Sequence, residues 1–268
     1  MKYLYNMKRL SFLFVGIFLL CACAHNPLTG KNTMALVSNA TLFPMAFTQY
    51  QEFLDENTVV TGTADADMVA RAGQRIAAAA QKWFVAEGSP NYLKDYRWEY
   101  TLVKDDQINA WCMPGGKIVV YTGILPVTLT EDGLAVVMGH EVAHALLNHG
   151  QQRMSAGVLQ ELGATALGVV TDSQLLMSAY GISTTLLGTL PFSRSNESEA
   201  DHYGLILMAI AGYDPSEAVP FWQRMAAMSG GSSLEFLSTH PSHNTRIKDL
   251  RGWVSEARRQ AAKIGVVR

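Results

Sequence analysis

The segment 140–144, His-Glu-Val-Ala-His, places two imidazoles four residues apart with a carboxylate between them, and it constrains this chain more than any other feature. On an α-helix with 3.6 residues per turn, positions four apart lie about 40° from each other, so His140 and His144 can both reach one metal ion. Glu141 lies about 100° from His140, too far round to bind that ion easily but close to a water beside it. The spacing predicts a zinc site on a helix, with Glu141 as the general base.

The flanking sequence favours a buried helix over about residues 129–149. Thr128 and Glu131 have the spacing of a capping box, and Gly150 is expected to end the helix. Most positions between them are apolar, which is typical of a helix buried on most sides. Two helical histidines can arise by chance, but unpaired imidazoles in so apolar a setting cost free energy unless they bind something.

A catalytic zinc site needs three protein ligands and one open position. The metzincin arrangement requires a glycine and a histidine at fixed positions after the second motif histidine, but Leu147 and Gly150 stand there. That class is therefore excluded, and the third ligand must lie further along the chain.

An acidic cluster opens a second predicted helix after Ser193. Glu197 and Asp201 are four residues apart and share a helix face, whereas Glu199 points away from that face. We therefore expect Glu197 to be the third metal ligand. Asp201 is expected to accept the free N–H of one of the two motif histidines and so fix its tautomer. The alternative is an ordinary acidic helix start that the helix dipole favours.

Together these motifs resemble those of the CAAX-prenyl-protease-like zinc metallopeptidases, specifically their bacterial lipoprotein branch. The matching residues are His140-Glu141-x-x-His144, Ser193-Arg194 with Glu197-x-x-Ala200-Asp201, Thr239-His240-Pro241 with Arg246-Ile247, Asn26-Pro27-x-Thr29-Gly30-Lys31, and Asn109-Ala110 with Pro114-Gly115-Gly116. The resemblance covers nearly all of the chain beyond its first residues. It implies a gluzincin-type endopeptidase that holds one Zn²⁺ through His140, His144 and Glu197, with Glu141 as the base.

The resemblance implies an α+β fold that is mostly helical, with a single gluzincin-like peptidase domain and a small β-sheet beside the active-site helix. Alternating apolar residues predict strands at 96–103 and 117–123, and the turn at 114–116 joins the second of these to 110–113. A free edge of this sheet should bind the substrate backbone, and the sequence leaves open which strand provides it. Residues 111–113 depart from the family pattern, which bears on substrate preference.

Several further histidines and one arginine also have predicted roles. His240 is expected in the cleft, where it either stabilises the oxyanion or occupies the open zinc position at rest. Arg246 is expected near the metal ligands, where it either helps with charge or makes an ordinary structural ion pair. His25, His149 and His202 are expected to be structural or solvated.

The first 22 residues have the features of a lipoprotein signal peptide. A basic start precedes an apolar stretch that is short for a bilayer span, and a small residue stands directly before Cys23. Cys23 is therefore the predicted lipid acceptor, with a plain secretory signal as the alternative. Residues 23–33 are predicted to be a lipid-proximal linker, and residues 34–268 the zinc metallopeptidase domain.

Composition and the predicted signal indicate where the chain acts. Ala24 follows the predicted lipid acceptor, and the lack of Asp there favours an outer-membrane lipid anchor facing the periplasm of a bacterial cell envelope. The formal net charge of the 268-residue chain is −2, and loss of the signal removes basic residues alone, which argues against nucleic-acid binding. The uncharged segment 173–193 is expected to form a buried or cleft-covering helical hairpin, with a membrane-touching element as the alternative.

These features predict a zinc metalloendopeptidase tethered to the membrane by its N-terminal lipid. Its expected substrates are unfolded or misassembled envelope proteins, and the outer-membrane assembly machinery is a candidate partner. The alternative, from a different functional class, is a chaperone-like binding module for unfolded outer-membrane proteins in which protease activity is latent.

Overall fold

The computed structural model describes residues 23–166, 192–228, 235–240 and 245–266. The predicted signal peptide and most of the uncharged segment 173–193 lie outside these residues. Within the described ranges, no helix combines the length and the apolar character needed to cross a bilayer.

Helices make up most of the described chain. In chain order they are α1 (Asn39–Glu56), α2 (Ala64–Ala86), α3 (Leu125–Thr128), α4 (Glu131–Leu146), α5 (His149–Ala166), α6 (Arg194–Ile210), α7 (Ala218–Met228), α8 (Glu235–Thr239) and α9 (Arg246–Lys263). Short 3₁₀ turns lead into α3 and α7.

The strands form an N-terminal hairpin and a mixed sheet. The hairpin pairs β1 (Cys23–His25) with β2 (Asn32–Met34), and the sheet contains β3 (Val59–Val60), β4 (Glu99–Val103), β5 (Ala110–Met113) and β6 (Lys117–Tyr121). The sheet order is β3-β4-β6-β5, with β4 and β6 parallel and the other pairs antiparallel. Among the described strands β5 pairs with β6 alone, so one edge of β5 is free. A mostly helical chain with one small mixed sheet confirms the predicted fold class.

Helix α4 runs through the centre of the core, and every residue from Gly133 to Leu146 is buried. It packs against α2, α6 and β5. The contact with α6 is close because two glycines face each other, and a Cβ atom at Gly139 would lie 2.9 Å from the carbonyl oxygen of Gly204. A residue with a side chain does not fit so near a neighbouring backbone. This close approach brings the two histidines of α4 within reach of the acidic first turns of α6.

The N-terminal end of α4 differs from the prediction. The helix begins at Glu131, and the side chain of Thr130 caps it by accepting a hydrogen bond from the N–H of Gly133. Thr128 instead ends α3, because Leu129 adopts a φ of +63° and interrupts the helical backbone. The predicted capping box of Thr128 and Glu131 is therefore wrong.

The C-terminal end of α4 also differs from the prediction. The helix ends at Leu146, and α5 begins at His149 after Asn148, whose φ is +57°. Gly150 lies inside α5, so the prediction that it ends the first helix is wrong. The left-handed backbone at Asn148 changes the chain direction and brings His149 back towards the end of α4.

The N-terminal hairpin is fixed to the two helices that carry the acidic and histidine motifs. Asn26 is only 1% exposed, and its side-chain amide donates a hydrogen bond of 2.8 Å to the carbonyl of Leu146. The hydroxyl of Tyr203 in α6 donates to the carbonyl of Leu28 at 3.2 Å. The predicted linker 23–33 thus forms most of a packed hairpin, while the domain boundaries themselves stay a prediction.

Candidate metal centre

Four side chains from three segments converge in the core. His140 and His144 come from one face of α4, Glu197 from the first turn of α6, and His240 directly follows α8. All four are buried, and one potential ligand atom from each lies within 4.8 Å of the others. The structure thus brings together the three predicted zinc ligands and the predicted cleft histidine.

The distances between these donor atoms suit one tetrahedral cation. His140 Nε2 lies 3.1 Å from His144 Nε2, and oxygens of the Glu197 carboxylate lie 3.3 Å from His144 Nε2 and 3.5 Å from His140 Nε2. Ligand atoms at about 2.0–2.1 Å from a tetrahedral zinc are roughly 3.3 Å apart. Imidazole nitrogens and a carboxylate oxygen are also donor types that zinc binds well. These residues therefore fit a single Zn²⁺ ion.

A carboxylate orients the ring of His140. Asp201 Oδ1 lies 3.0 Å from His140 Nδ1, so a proton held on Nδ1 leaves Nε2 free to face the other donors. Although burial opposes ionisation, the charge of Arg246 and the hydrogen bond from His140 hold the pKa of Asp201 below its usual value. Asp201 lies where a residue that fixes the tautomer of His140 must lie, and the sequence alone left the choice between the two motif histidines open.

Arg246 is almost wholly buried, with its guanidinium carbon 3.3 Å from the centre of the Trp222 ring. Its Nη2 atom lies 2.6 Å from Asp201 Oδ1 and 3.5 Å from Glu197 Oε2. One cation therefore faces two carboxylates of the centre. These contacts combine both predicted roles, because the same ion pairs balance negative charge and hold the two carboxylates in place.

Glu141 lies beside the donor atoms, facing a cleft. One oxygen of its carboxylate is 3.4 Å from His240 Nε2, and Glu141 does not belong to the group that could hold a metal. Burial raises the pKa of Glu141. Burial acts in the same direction on Glu197, but hydrogen bonds with His144 and His240 outweigh it and lower the pKa of Glu197. The lowered pKa keeps Glu197 an anion, whereas the raised pKa suits Glu141 to accept and return a proton.

The ring of His240 lies against the other donor atoms. Its Nδ1 atom is 3.0 Å from Glu197 Oε1 and 3.3 Å from His140 Nε2. The ring stacks on Phe236 with 4.6 Å between the ring centres, which fixes its plane. Of the two predicted roles, this placement favours occupation of the open zinc position at rest.

Sequence reasoning missed the contact that His149 makes with the centre. Its Nδ1 atom lies 2.9 Å from His144 Nδ1, and its Nε2 atom lies 3.3 Å from Glu199 Oε2. His149 is 1% exposed, so of the two expected roles, structural or solvated, the structural one fits. If the helix had continued without a break beyond His144, the side chain of His149 would have pointed away from the centre. The polar Asn148, a residue that tolerates left-handed backbone, was the available signal for a break.

Two further histidines among the described residues, His202 and His25, lie outside the centre. His202 is partly exposed, and its Nε2 atom is 3.2 Å from Glu256 in α9. His25 is in the N-terminal hairpin, where its ring contacts the side chain of Asn32. Both positions agree with the expectation that these side chains are structural or solvated.

A cleft of about 460 Å³ opens onto Glu141, His144 and His240. Strand β5 forms one wall, and residues 111–113, which depart from the resembled pattern, all line it. Phe53 of α1 extends this wall by packing against Trp111 edge to face, with 5.0 Å between the ring centres. The cleft therefore joins the metal centre to the free edge of the sheet.

Comparison with known proteins places this site in a family. Residues 64–254 match Peptidase family M48. The chain belongs to this family. Membership confirms that this M48 chain is a zinc metallopeptidase, with Zn²⁺ as its cofactor.

Several curated relatives resemble this M48 chain. It is 38% identical over 171 residues to the mitochondrial metalloendopeptidase OMA1 of Schizosaccharomyces pombe, covering 62% of this chain and 49% of that protein. It is 33% identical over 178 residues to the human mitochondrial metalloendopeptidase OMA1, covering 62% and 34%. It is 28% identical over 169 residues to the beta-barrel assembly-enhancing protease of Escherichia coli, covering 59% and 35%. The chain thus matches about half or less of the length of these relatives.

The narrower resemblance to CAAX-prenyl-protease-like bacterial lipoproteins stays a prediction. The M48 relatives include both mitochondrial proteins and bacterial ones, so they do not single out a lipoprotein branch.

Proposed function

We propose that this M48 chain is a metalloendopeptidase in which His140, His144 and Glu197 hold the zinc ion and Glu141 is the general base. The observation that carries this proposal is the convergence of the three donors at 3.1–3.5 Å. The carboxylate of Glu141 lies beside them at the cleft. When bound, zinc supplies Lewis-acid polarisation of the scissile carbonyl and of the attacking water.

The protein groups then handle the protons. Glu141 accepts a proton from the attacking water and returns it to the nitrogen of the leaving amine, which its raised pKa favours. Asp201 keeps the Nδ1 proton of His140 in place throughout. His240, whose Nδ1 atom lies among the donor atoms of His140 and Glu197, would help to hold the ion at rest and would have to yield that place to a substrate.

The free edge of β5 is the proposed binding site for the substrate backbone. An extended peptide can add to an open strand edge through main-chain hydrogen bonds, while neighbouring pockets select side chains. β5 is supported over the other strands because it lines the cleft that contains Glu141 and His240. Trp111 and Phe53 would then contact side chains of the substrate.

In the cell, the proposed substrates are unfolded or misassembled proteins of the bacterial envelope, and the outer-membrane assembly machinery is a proposed partner. Support comes from the Escherichia coli relative named for β-barrel assembly and from the predicted signal at 1–22. We place the protein at the outer membrane, facing the periplasm, with a lipid on Cys23. Cys23 is exposed, as a modified residue must be.

One observation favours the alternative of a chaperone-like module with latent protease activity. His240 lies among the donor atoms, where it would compete with a substrate carbonyl. A protein in this state could hold an unfolded chain along β5 without cutting it.

The test compares zinc content and cleavage of a fluorescently labelled unfolded protein, such as casein, in four proteins. Glu141→Gln should keep about one zinc per chain and lose cleavage, because Glu141 is not a ligand in this proposal. His140→Ala should lose both zinc and cleavage. Glu87→Gln, an exposed carboxylate at the end of α2, is the matched control and should behave like the native protein. Cleavage that persists in Glu141→Gln, or in native protein stripped of zinc, would refute the proposed endopeptidase mechanism.

A further inference from the structure

We propose that His149 and Glu199 are positioning residues for the zinc ligand His144, and that Lys31 fixes the outer end of this chain of contacts. The proposal rests on the proposed role of His144 as a zinc ligand. It assigns a function to His149, which was predicted to be structural or solvated, and to Glu199, which was predicted to point away from the metal.

The contacts run from the centre to the surface without a gap. His144 Nδ1 meets His149 Nδ1 at 2.9 Å, and His149 Nε2 meets Glu199 Oε2 at 3.3 Å. The other oxygen of Glu199 pairs with the ammonium group of Lys31. The side chain of His149 is fully buried, that of Glu199 is 21% exposed, and that of Lys31 is 60% exposed.

The direction of every hydrogen bond follows from the zinc ligand. When Nε2 of His144 binds the metal, the ring proton must be on Nδ1, which then donates to Nδ1 of His149. Because that nitrogen accepts, the proton of His149 is on Nε2 and is donated to Glu199. Lys31 donates to the remaining oxygen of the same carboxylate. Each donor therefore has one acceptor. The neutral imidazole of His149 connects the carboxylate of Glu199 to the ring of His144 through two hydrogen bonds.

The same arrangement supports the other metal-binding histidine. Asp201 accepts a hydrogen bond from Nδ1 of His140 directly, and Arg246 forms an ion pair with Asp201. At His144, the imidazole of His149 lies between the ligand ring and the carboxylate of Glu199. The two imidazole ligands thus each have a carboxylate on the side away from the metal and a cation behind that carboxylate.

Helix geometry explains why His144 needs an inserted imidazole. His140 faces α6, where Asp201 can reach its ring, whereas His144 lies one turn further along α4, near the helix end. The left-handed backbone at Asn148 then returns the start of α5 to this place, with His149 as its first residue. On this side of the centre, Glu199 of α6 contacts the ring of His149 and not that of His144.

Lys31 is held in position by the hairpin in which it lies. Its N–H group faces the hydroxyl of Thr29 at 3.2 Å, and the buried Asn26 ties the same turn to the end of α4. Because Lys31 and Glu199 are both partly exposed, their ion pair contributes less than the buried contacts do. The largest effect is therefore expected at His149, and the smallest at Lys31.

The experiment measures how fast each zinc-loaded protein releases its metal to a chromogenic chelator in excess. His149→Phe keeps the ring volume but removes both nitrogens, and release should be about 10-fold faster than in the native protein. His149→Asn should release zinc at a rate closer to that of the native protein, because the side-chain carbonyl oxygen of Asn can take the place of Nδ1 as acceptor. The release rate of Glu199→Ala should lie between the rates of His149→Phe and His149→Asn. The release rate of Lys31→Met should be close to the native rate.

His202→Phe is the matched control. His202 lies on α6 and pairs with Glu256, so the variant removes a histidine–glutamate contact of the same kind that touches no proposed ligand. Its zinc release should match the native rate. The visible spectrum of the Co²⁺-loaded proteins is a second measurement: the bands should shift in His149→Phe and remain unchanged in His202→Phe, because they report the ligand geometry.

Release rates within twofold of native in both His149→Phe and Glu199→Ala would overturn the proposal. If His149→Phe does not fold, as judged by circular dichroism, the partly exposed Glu199→Ala decides on the same criterion. His140→Ala separates this result from a failure of the proposed function. Zinc retained by His140→Ala would refute the metal site itself, whereas zinc lost there with native release in the other two variants would refute only the positioning role.

Discussion

Gly139 and Gly204 bring α4 and α6 into backbone contact, since a Cβ atom built on Gly204 would lie 2.9 Å from the amide nitrogen of His140. The helix that carries two proposed ligands and the helix that carries the third therefore meet within one residue of the metal centre. Any side chain at this crossing would move Glu197 away from the imidazoles.

We predict that Gly204→Ala lowers the free energy of unfolding by about 1–3 kcal/mol, because the added methyl group meets rigid backbone. It should also weaken zinc binding. Gly252→Ala in α9 is the control, as a Cβ atom there has nothing within 4 Å, and it should be neutral or stabilising by up to about 1 kcal/mol. Urea unfolding of the two zinc-loaded variants checks this, and equal stabilities would contradict the crossing as described.

Arg246→Met should destabilise the protein by about 3–5 kcal/mol, because it leaves Asp201 and Glu197 buried without their shared cation. Arg258→Met is the control, since Arg258 forms an exposed pair with Asp214 and its loss should cost less than about 1 kcal/mol. Thermal unfolding and zinc content measured together test this. An Arg246→Met protein with native stability and native zinc content would show that the ion pair is dispensable.

His240→Ala distinguishes the two roles predicted for this residue. If His240 occupies the open zinc position at rest, as its contacts with Glu197 and His140 favour, its removal should leave zinc bound and raise cleavage of an unfolded protein at least about twofold. If it stabilises the oxyanion instead, kcat should fall by about 10²–10³ with KM little changed. Steady-state kinetics on a labelled peptide provide the answer.

Glu131 should make stability depend on pH at a place far from the metal. Burial raises the pKa of Glu131, but hydrogen bonds from Tyr213 and Arg71 and the charges of Arg71 and Arg75 outweigh this and lower it. A carboxyl group whose pKa is lower in the folded state than in the unfolded state stabilises the folded protein at pH values above its unfolded-state pKa. This stabilisation is lost as the pH falls through the folded-state pKa.

Glu131→Gln should therefore lower Tm by a few degrees at pH 7, and the difference from the native protein should shrink as the pH falls below about 4. Tm is measured across this pH range for both proteins in the metal-free form, so that zinc release in acid does not interfere. A Tm difference that stays constant down to the acid end would contradict the assignment.

Sequence predicted the parts of the centre that depend on local geometry. The spacing of His140 and His144 places both on one helix face wherever the helix begins or ends. The shared face of Glu197 and Asp201 likewise follows from their separation in α6. These assignments needed the helices to exist but did not need their exact bounds.

Features that depend on the ends of helices could not be predicted in the same way. Leu129 and Asn148 both adopt positive φ, which residue type alone does not require, and each shifted one end of α4. The shift at Asn148 is the reason that the contact of His149 with His144 was not predicted. That β5 is one of the two edge strands was also out of reach, because the sheet order β3-β4-β6-β5 does not follow the chain.

The separation of the donors along the chain has a consequence for the integrity of the fold. His140 and His240 are 100 residues apart, and Glu197 lies between them. A bound ion would therefore act as a cross-link that closes long loops, and neither of the described cysteines, Cys23 and Cys112, forms a disulfide that could do the same. Chelation should consequently expose α6 and α8 to limited proteolysis before α1 and α2 become susceptible.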